Sequence, residues 1–149
     1  MEKKATTIKG SFLQVEVDME LVSAVSLLAI LQFSVLGLLV GRARGKYGVA
    51  APAVTGDEHF ERWFRVHYNT LERLAVFLPA LWLFGYYVGQ YYAAGLGCIY
   101  LIGRLMYAAA YVRDPAKRGL GMIVSELPIW IMLIGGLIAV AIHWVRGLA

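Results

Sequence analysis

One cysteine, Cys98, is all that the chain contains, which excludes an intrachain disulfide framework and any paired-cysteine metal motif. It sits in the apolar run from Gly95 to Tyr100 and reads as small core packing rather than a catalytic thiol. Histidine is nearly as sparse. His59, His67 and His143 are scattered without His-x-x-x-His spacing, so no metal is expected. A glycine-rich phosphate loop, an internal repeat and a constructible Ser-His-Asp arrangement are also lacking. Charged residues make up only 16%, and the net charge of +4 is not gathered into a long Lys/Arg run. Nucleic acid is therefore not expected as a partner.

What fills the chain instead is apolar. Hydrophobic residues reach 60% and the mean hydropathy is +0.64, well above the share found in soluble domains. A helical span needs about 20 residues, so four spans with short loops nearly use up the 149 residues. The expected architecture is all-α: a four-helix transmembrane bundle over residues 18–149, behind a polar N-terminal extension at 1–17. The spans are placed at about residues 19–44, 58–88, 91–113 and 120–145, from the apolar runs and their charged borders. Asp57 and Glu58 suit a helix start, the Gly89-Gln90 turn permits only an antiparallel hairpin, and Asp114-Pro115 ends the third helix. Basic residues gather at the first and third loops, among them Arg42, Arg44, Lys46, Arg113, Lys117 and Arg118. The positive-inside rule assigns those loops to the cytoplasm.

Against this background the stretch from Glu61 to Glu72 is anomalous. On a helix, Glu61, Arg65, Asn69 and Glu72 follow i, i+4, i+8, i+11 and form one narrow stripe. Charge at membrane depth is costly unless it is paired or faces a wet cavity, so the stripe is a candidate polar ligand site. The third helix carries a matching one: Tyr100, Arg104, Tyr107 and Tyr111. Arginines bind carboxylates in a fork, Glu72 can accept from an ammonium, and Asn69 can do either. A ligand with free carboxylates and a free amine, a peptide such as glutathione, fits that mixture. The bland reading of any single residue is internal pairing within the bundle, and Arg73 and Glu126 are read that way. Glu61 and Arg62 are read as helix-end support.

The order Glu61-Arg62-x-x-Arg65-x-x-x-Asn69-x-x-Glu72, followed by Arg104-x-x-Tyr107-x-x-x-Tyr111, resembles the membrane-associated proteins in eicosanoid and glutathione metabolism, the MAPEG family. Residues 67–72 and 114–118 look most like its microsomal glutathione S-transferase 3 branch and bacterial relatives. The resemblance implies a homotrimer of four-helix subunits with glutathione bound as co-substrate between neighbours, towards the cytoplasmic face. It puts Arg65, Asn69, Glu72, Arg104, Tyr107 and Tyr111 at glutathione-holding positions. Arg44 would reach the glutathione of the adjacent subunit, and His67 stands where another member has a glutamine. Arg118 would hold the thiolate.

A thiol of pKa about 8.5 is mostly protonated at neutral pH, and a nearby guanidinium favours its charged form without itself titrating. Arg118 suits that part, although Lys117 and Arg113 lie beside it, and all three also serve as positive-inside residues. The implied activity is glutathione transfer to lipophilic electrophiles, with glutathione-dependent reduction of lipid hydroperoxides as a second activity. Partners are then other copies of the chain, membrane lipid and a lipophilic small molecule. Leukotriene-forming members have a second arginine directly after the position of Arg44, where this chain has Gly45. The alternative function is a non-catalytic lipid-binding scaffold of the same fold, and a four-span exporter fits poorly because residues 21–40 carry no acidic group.

Overall fold

A computed structural model describes residues 19–148. The polar extension assigned to residues 1–17 lies outside the described residues. Four long helices account for nearly all the rest: α1 (Glu20–Lys46), α2 (Glu58–Tyr87), α3 (Gln90–Arg113) and α4 (Gly119–Gly147), with a 3-10 turn at Pro115–Arg118. Each boundary has a local cause. Asp57 caps α2 by accepting from the backbone N–H groups of His59 and Phe60 at 2.9 and 3.1 Å. Gly89, at φ 139°, takes a conformation that a side chain would disfavour, and so lets α3 reverse directly onto α2. Asp114 ends α3 in extended backbone ahead of Pro115 and accepts from Ala116 N at 3.0 Å.

The α2–α3 hairpin is the middle of the bundle, with α1 and α4 each packed against both of its helices. Its centre is apolar: Val25 and Ala29 of α1, Phe77 and Leu81 of α2, Tyr100 of α3 and Met132 of α4 belong to one buried cluster. The Phe77 and Tyr100 rings stack with centroids 3.8 Å apart. Toward the loops, Leu36, Val66, Tyr107 and Ala108 form a second cluster. By length and composition α1, α3 and the segment Pro115–Gly147 can each cross a membrane. α2 is not among them.

Lipid tails are as apolar as leucine, so helices in a bilayer associate through close packing rather than through release from water. Glycine supplies it between α3 and α4. A Cβ on Gly103 would lie 2.5 Å from Ser125 N, and one on Gly121 would run into the Tyr107 backbone. Gly135 leaves the space that Phe84 of α2 occupies. Between α2 and α4, Arg73 and Glu126 form an ion pair at 3.0 Å, the inter-helix role expected of them. Outward faces are apolar, with Leu27, Leu38, Ile123, Leu137 and Ile138 all exposed, and Cys98, expected in the core, is exposed on α3 as well.

Gly121→Leu forces the α3 and α4 backbones apart and is expected to cost about 1–3 kcal/mol or more. The thermal midpoint of the detergent-purified protein should fall accordingly. Gly95→Ala, where nothing lies within 4 Å, should show no loss.

Candidate functional site

Where the loop-side ends of α2 and α3 meet, four of the sequence-selected residues form a chain of contacts. Asn69 donates its amide to the Tyr107 hydroxyl at 2.7 Å. The Tyr107 and Tyr111 ring centroids are 5.5 Å apart. Arg118, coming from the 3-10 turn, places its guanidinium carbon 5.7 Å from the centre of the Tyr111 ring and donates to the Pro115 carbonyl at 2.7 Å. Tyr111 also lines a recess of about 260 Å³ with Arg65, Glu58, Glu61, Arg62 and Pro115. Helical spacing explains the alignment, because Arg65 and Asn69 are one turn apart on α2, and Tyr107 and Tyr111 one turn apart on α3.

Arg65 and Glu72 are exposed on α2, and among the described residues neither makes a hydrogen bond or ion pair through its side chain. The stripe therefore presents an unspent cation, an unspent carboxylate and a fixed amide in sequence. Arg62, read as helix-end support, donates to the Val112 and Arg113 carbonyls at 3.2 and 3.0 Å and pairs with Glu58. It thereby closes the C-terminal end of α3, where a cation suits the helix dipole. Glu61 accepts from Gly56 N at 2.9 Å and ties down the loop before α2.

Arg104 stands one layer deeper than the open stripe. Its residue is 2% exposed, Nη2 donates to Thr70 Oγ1 at 2.6 Å, and the guanidinium carbon lies 4.2 Å from the Tyr107 ring centre. No carboxylate pairs with it among the described residues, and its Nε has no hydrogen-bond partner. In this chain Arg104 braces the ring of Tyr107 from behind. Thr70, the residue that holds it, gave no signal in the sequence, because a helical threonine ordinarily bonds its own helix. It does that as well, donating to the Val66 carbonyl at 2.7 Å.

Two selected residues lie elsewhere. His67 is two positions beyond Arg65, about 200° around the helix. It packs toward α1, stacked on Phe33 at 4.3 Å and close against Gly37. Arg44 is engaged within its own chain, where Nη1 donates to the Val49, Ala50 and Ala53 carbonyls at 3.2, 3.2 and 2.7 Å. Its guanidinium carbon also covers the Phe60 ring at 4.6 Å. Neither touches the Asn69–Tyr107 constellation in the single chain. Lys117 is paired with Asp114 at 3.6 Å, which leaves Arg118 as the basic residue of the turn that lies over Tyr111.

Comparison with known proteins gives a consistent outcome. The model of the MAPEG family matches residues 22–138. Microsomal glutathione S-transferase 2 of Mus musculus is 44% identical over 108 residues, covering 72% of this chain and 74% of that protein. Leukotriene C4 synthase of Cavia porcellus is 32% identical over 132 residues, covering 89% and 88%. The uncharacterized protein sll1147 of Synechocystis sp. is 47% identical over 116 residues, covering 78% and 85%. These matches bear out the family; the relatives they name are microsomal glutathione S-transferase 2 and leukotriene C4 synthase, where the motif resemblance pointed to the transferase 3 branch.

Thr70→Val leaves the Arg104 guanidinium without its hydroxyl partner and is expected to cost about 1–3 kcal/mol. Thermal unfolding in detergent should show that loss, and Thr70→Ser should restore most of it.

Proposed function

The chain belongs to the MAPEG family, and from that premise we propose that it is a membrane glutathione transferase. One observation carries the reading above all. The Asn69–Tyr107–Tyr111–Arg118 chain of contacts sets an amide, two phenols and a guanidinium beside the free Arg65, with the free Glu72 three residues beyond Asn69 along α2. Glutathione has two carboxylates, one amine and one thiol. Arg65 suits a carboxylate, Glu72 the ammonium, and Asn69 either end.

Arg118 is the residue assigned to the thiol. A fixed guanidinium beside the sulfur favours thiolate over thiol and so raises the nucleophile's concentration at neutral pH. The thiolate then attacks a lipophilic electrophile arriving from the bilayer, forming a carbon–sulfur bond as the leaving group departs with its electron pair. With a lipid hydroperoxide the thiolate attacks the terminal oxygen instead. Two glutathiones supply the two electrons, and the products are the disulfide, the alcohol and water.

The assembly assigned here is a homotrimer whose sites lie towards the cytoplasm. Arg65 and Glu72 are exposed on α2 of the single chain, a position suited to completion of the site by a neighbour. His67 and Arg44, which face away from the constellation in their own subunit, are the residues proposed to act on the neighbour's side.

The test is conjugation of chlorodinitrobenzene by the purified protein, together with the ultraviolet absorbance of bound thiolate. Native protein is expected to show both. Arg118→Ala should keep glutathione binding, lose the thiolate signal and lose roughly a hundredfold in turnover. A thiolate signal unchanged by the substitution removes Arg118 from the chemistry, and absence of both turnover and binding in the native protein overturns the transferase reading.

A further inference from the structure

A second concavity lies between α1 and α3. Of its α3 lining, Leu105 stands about 200° of helix from Tyr107 and Ala108 about 100° from it. It is a groove of about 530 Å³ between α1 and α3, with Leu28, Leu31 and Val35 on one wall and Leu101, Leu105 and Ala108 on the other. The short side chains of Ala108 and Ala109 keep it open. Gln32 would otherwise be a polar intrusion, but its amide is spent on the Leu101 carbonyl at 3.0 Å.

The loop-side end of the groove is formed by Leu39 and Trp63. Those two residues also line a recess of about 240 Å³ whose remaining walls include Arg42, Lys46 and Tyr47. The two spaces therefore adjoin at Leu39 and Trp63, and the apolar groove ends beside two cations. Arg42 and Lys46 are exposed, and neither has a carboxylate partner among the described residues. Lys46 Nζ lies 5.0 Å from the Tyr47 ring centre. From Leu28 to Leu39 the groove follows α1 for about 16 Å, at about 1.5 Å per residue. That is about half the roughly 30 Å hydrocarbon core, the depth of one leaflet.

We propose that these adjoining spaces together bind one anionic phospholipid, with an acyl chain along the groove and the phosphate at Arg42 and Lys46. Length matches one leaflet, the wall is apolar apart from Gln32, whose amide N–H is already donated to Leu101, and the charges that line the two spaces are positive and stand where a headgroup would be. Cations just outside a span attract anionic headgroups, and the Trp63 indole at the junction suits the boundary between tail and head. The site is independent of glutathione, and so of the activity proposed above.

The full-length protein in detergent, offered phosphatidylglycerol or phosphatidylcholine of identical acyl chains, is to be examined by native mass spectrometry. Native protein should retain one phosphatidylglycerol per chain, in preference to phosphatidylcholine by about tenfold or more. Arg42→Gln/Lys46→Gln changes only surface residues and should abolish that preference while helix content stays the same. Ala109→Phe, at an exposed position, should block the groove and lower retention of both lipids. Equal retention of the two lipids by native protein, or a preference that survives Arg42→Gln/Lys46→Gln, overturns the proposal. So does high-yield disulfide trapping between copies carrying Val35→Cys on a Cys98→Ser background, because a second copy of the chain would then cover the groove.

Discussion

A guanidinium held inside a membrane bundle stays there only if its surroundings compensate for the water it has lost. Arg104 is compensated by one hydroxyl and one aromatic face, those of Thr70 and Tyr107, and no carboxylate pairs with it among the described residues. Much else follows from that arrangement. The cation fixes the plane of the Tyr107 ring, and the ring's hydroxyl then meets the Asn69 amide at 2.7 Å. Tyr111 and Arg118 continue the line to the loop.

The same helices have to approach closely for those side chains to meet. Gly103 and Gly121 let α3 and α4 touch backbone to backbone, which fixes where α3 lies and thus where its tyrosines point. Between α2 and α4 the Arg73–Glu126 pair adds a directed contact where dispersion alone would permit sliding. The outer faces of α1 and α4 remain apolar, as a lipid or protein environment within the membrane requires.

Four helices were legible in the sequence because apolar runs, short turns and Asp114-Pro115 leave little choice of connection. The stripe of Arg65, Asn69 and Glu72 was legible for the same reason, since helical periodicity alone puts the three on one face. His67 shows where periodicity and family resemblance part: its spacing sends it toward Phe33 of α1, whatever a neighbouring subunit does. Arg44 could not be read, because its three carbonyl partners belong to a loop whose path follows no period. Thr70 was silent because nothing local distinguishes a threonine that bonds only its own helix from one that also holds a buried cation across it.

The central claim is that glutathione is held by the α2–α3 constellation, with the Tyr107 hydroxyl and the Asn69 amide acting as one unit. Equilibrium binding of glutathione to the membrane-reconstituted protein tests it most directly, by comparing native protein with Tyr107→Phe, Asn69→Leu and the two combined. Each single change should weaken binding by about tenfold, and the combination should weaken it little further, because either change alone breaks the unit. Binding that is unaffected by both single changes would place the peptide elsewhere on the molecule.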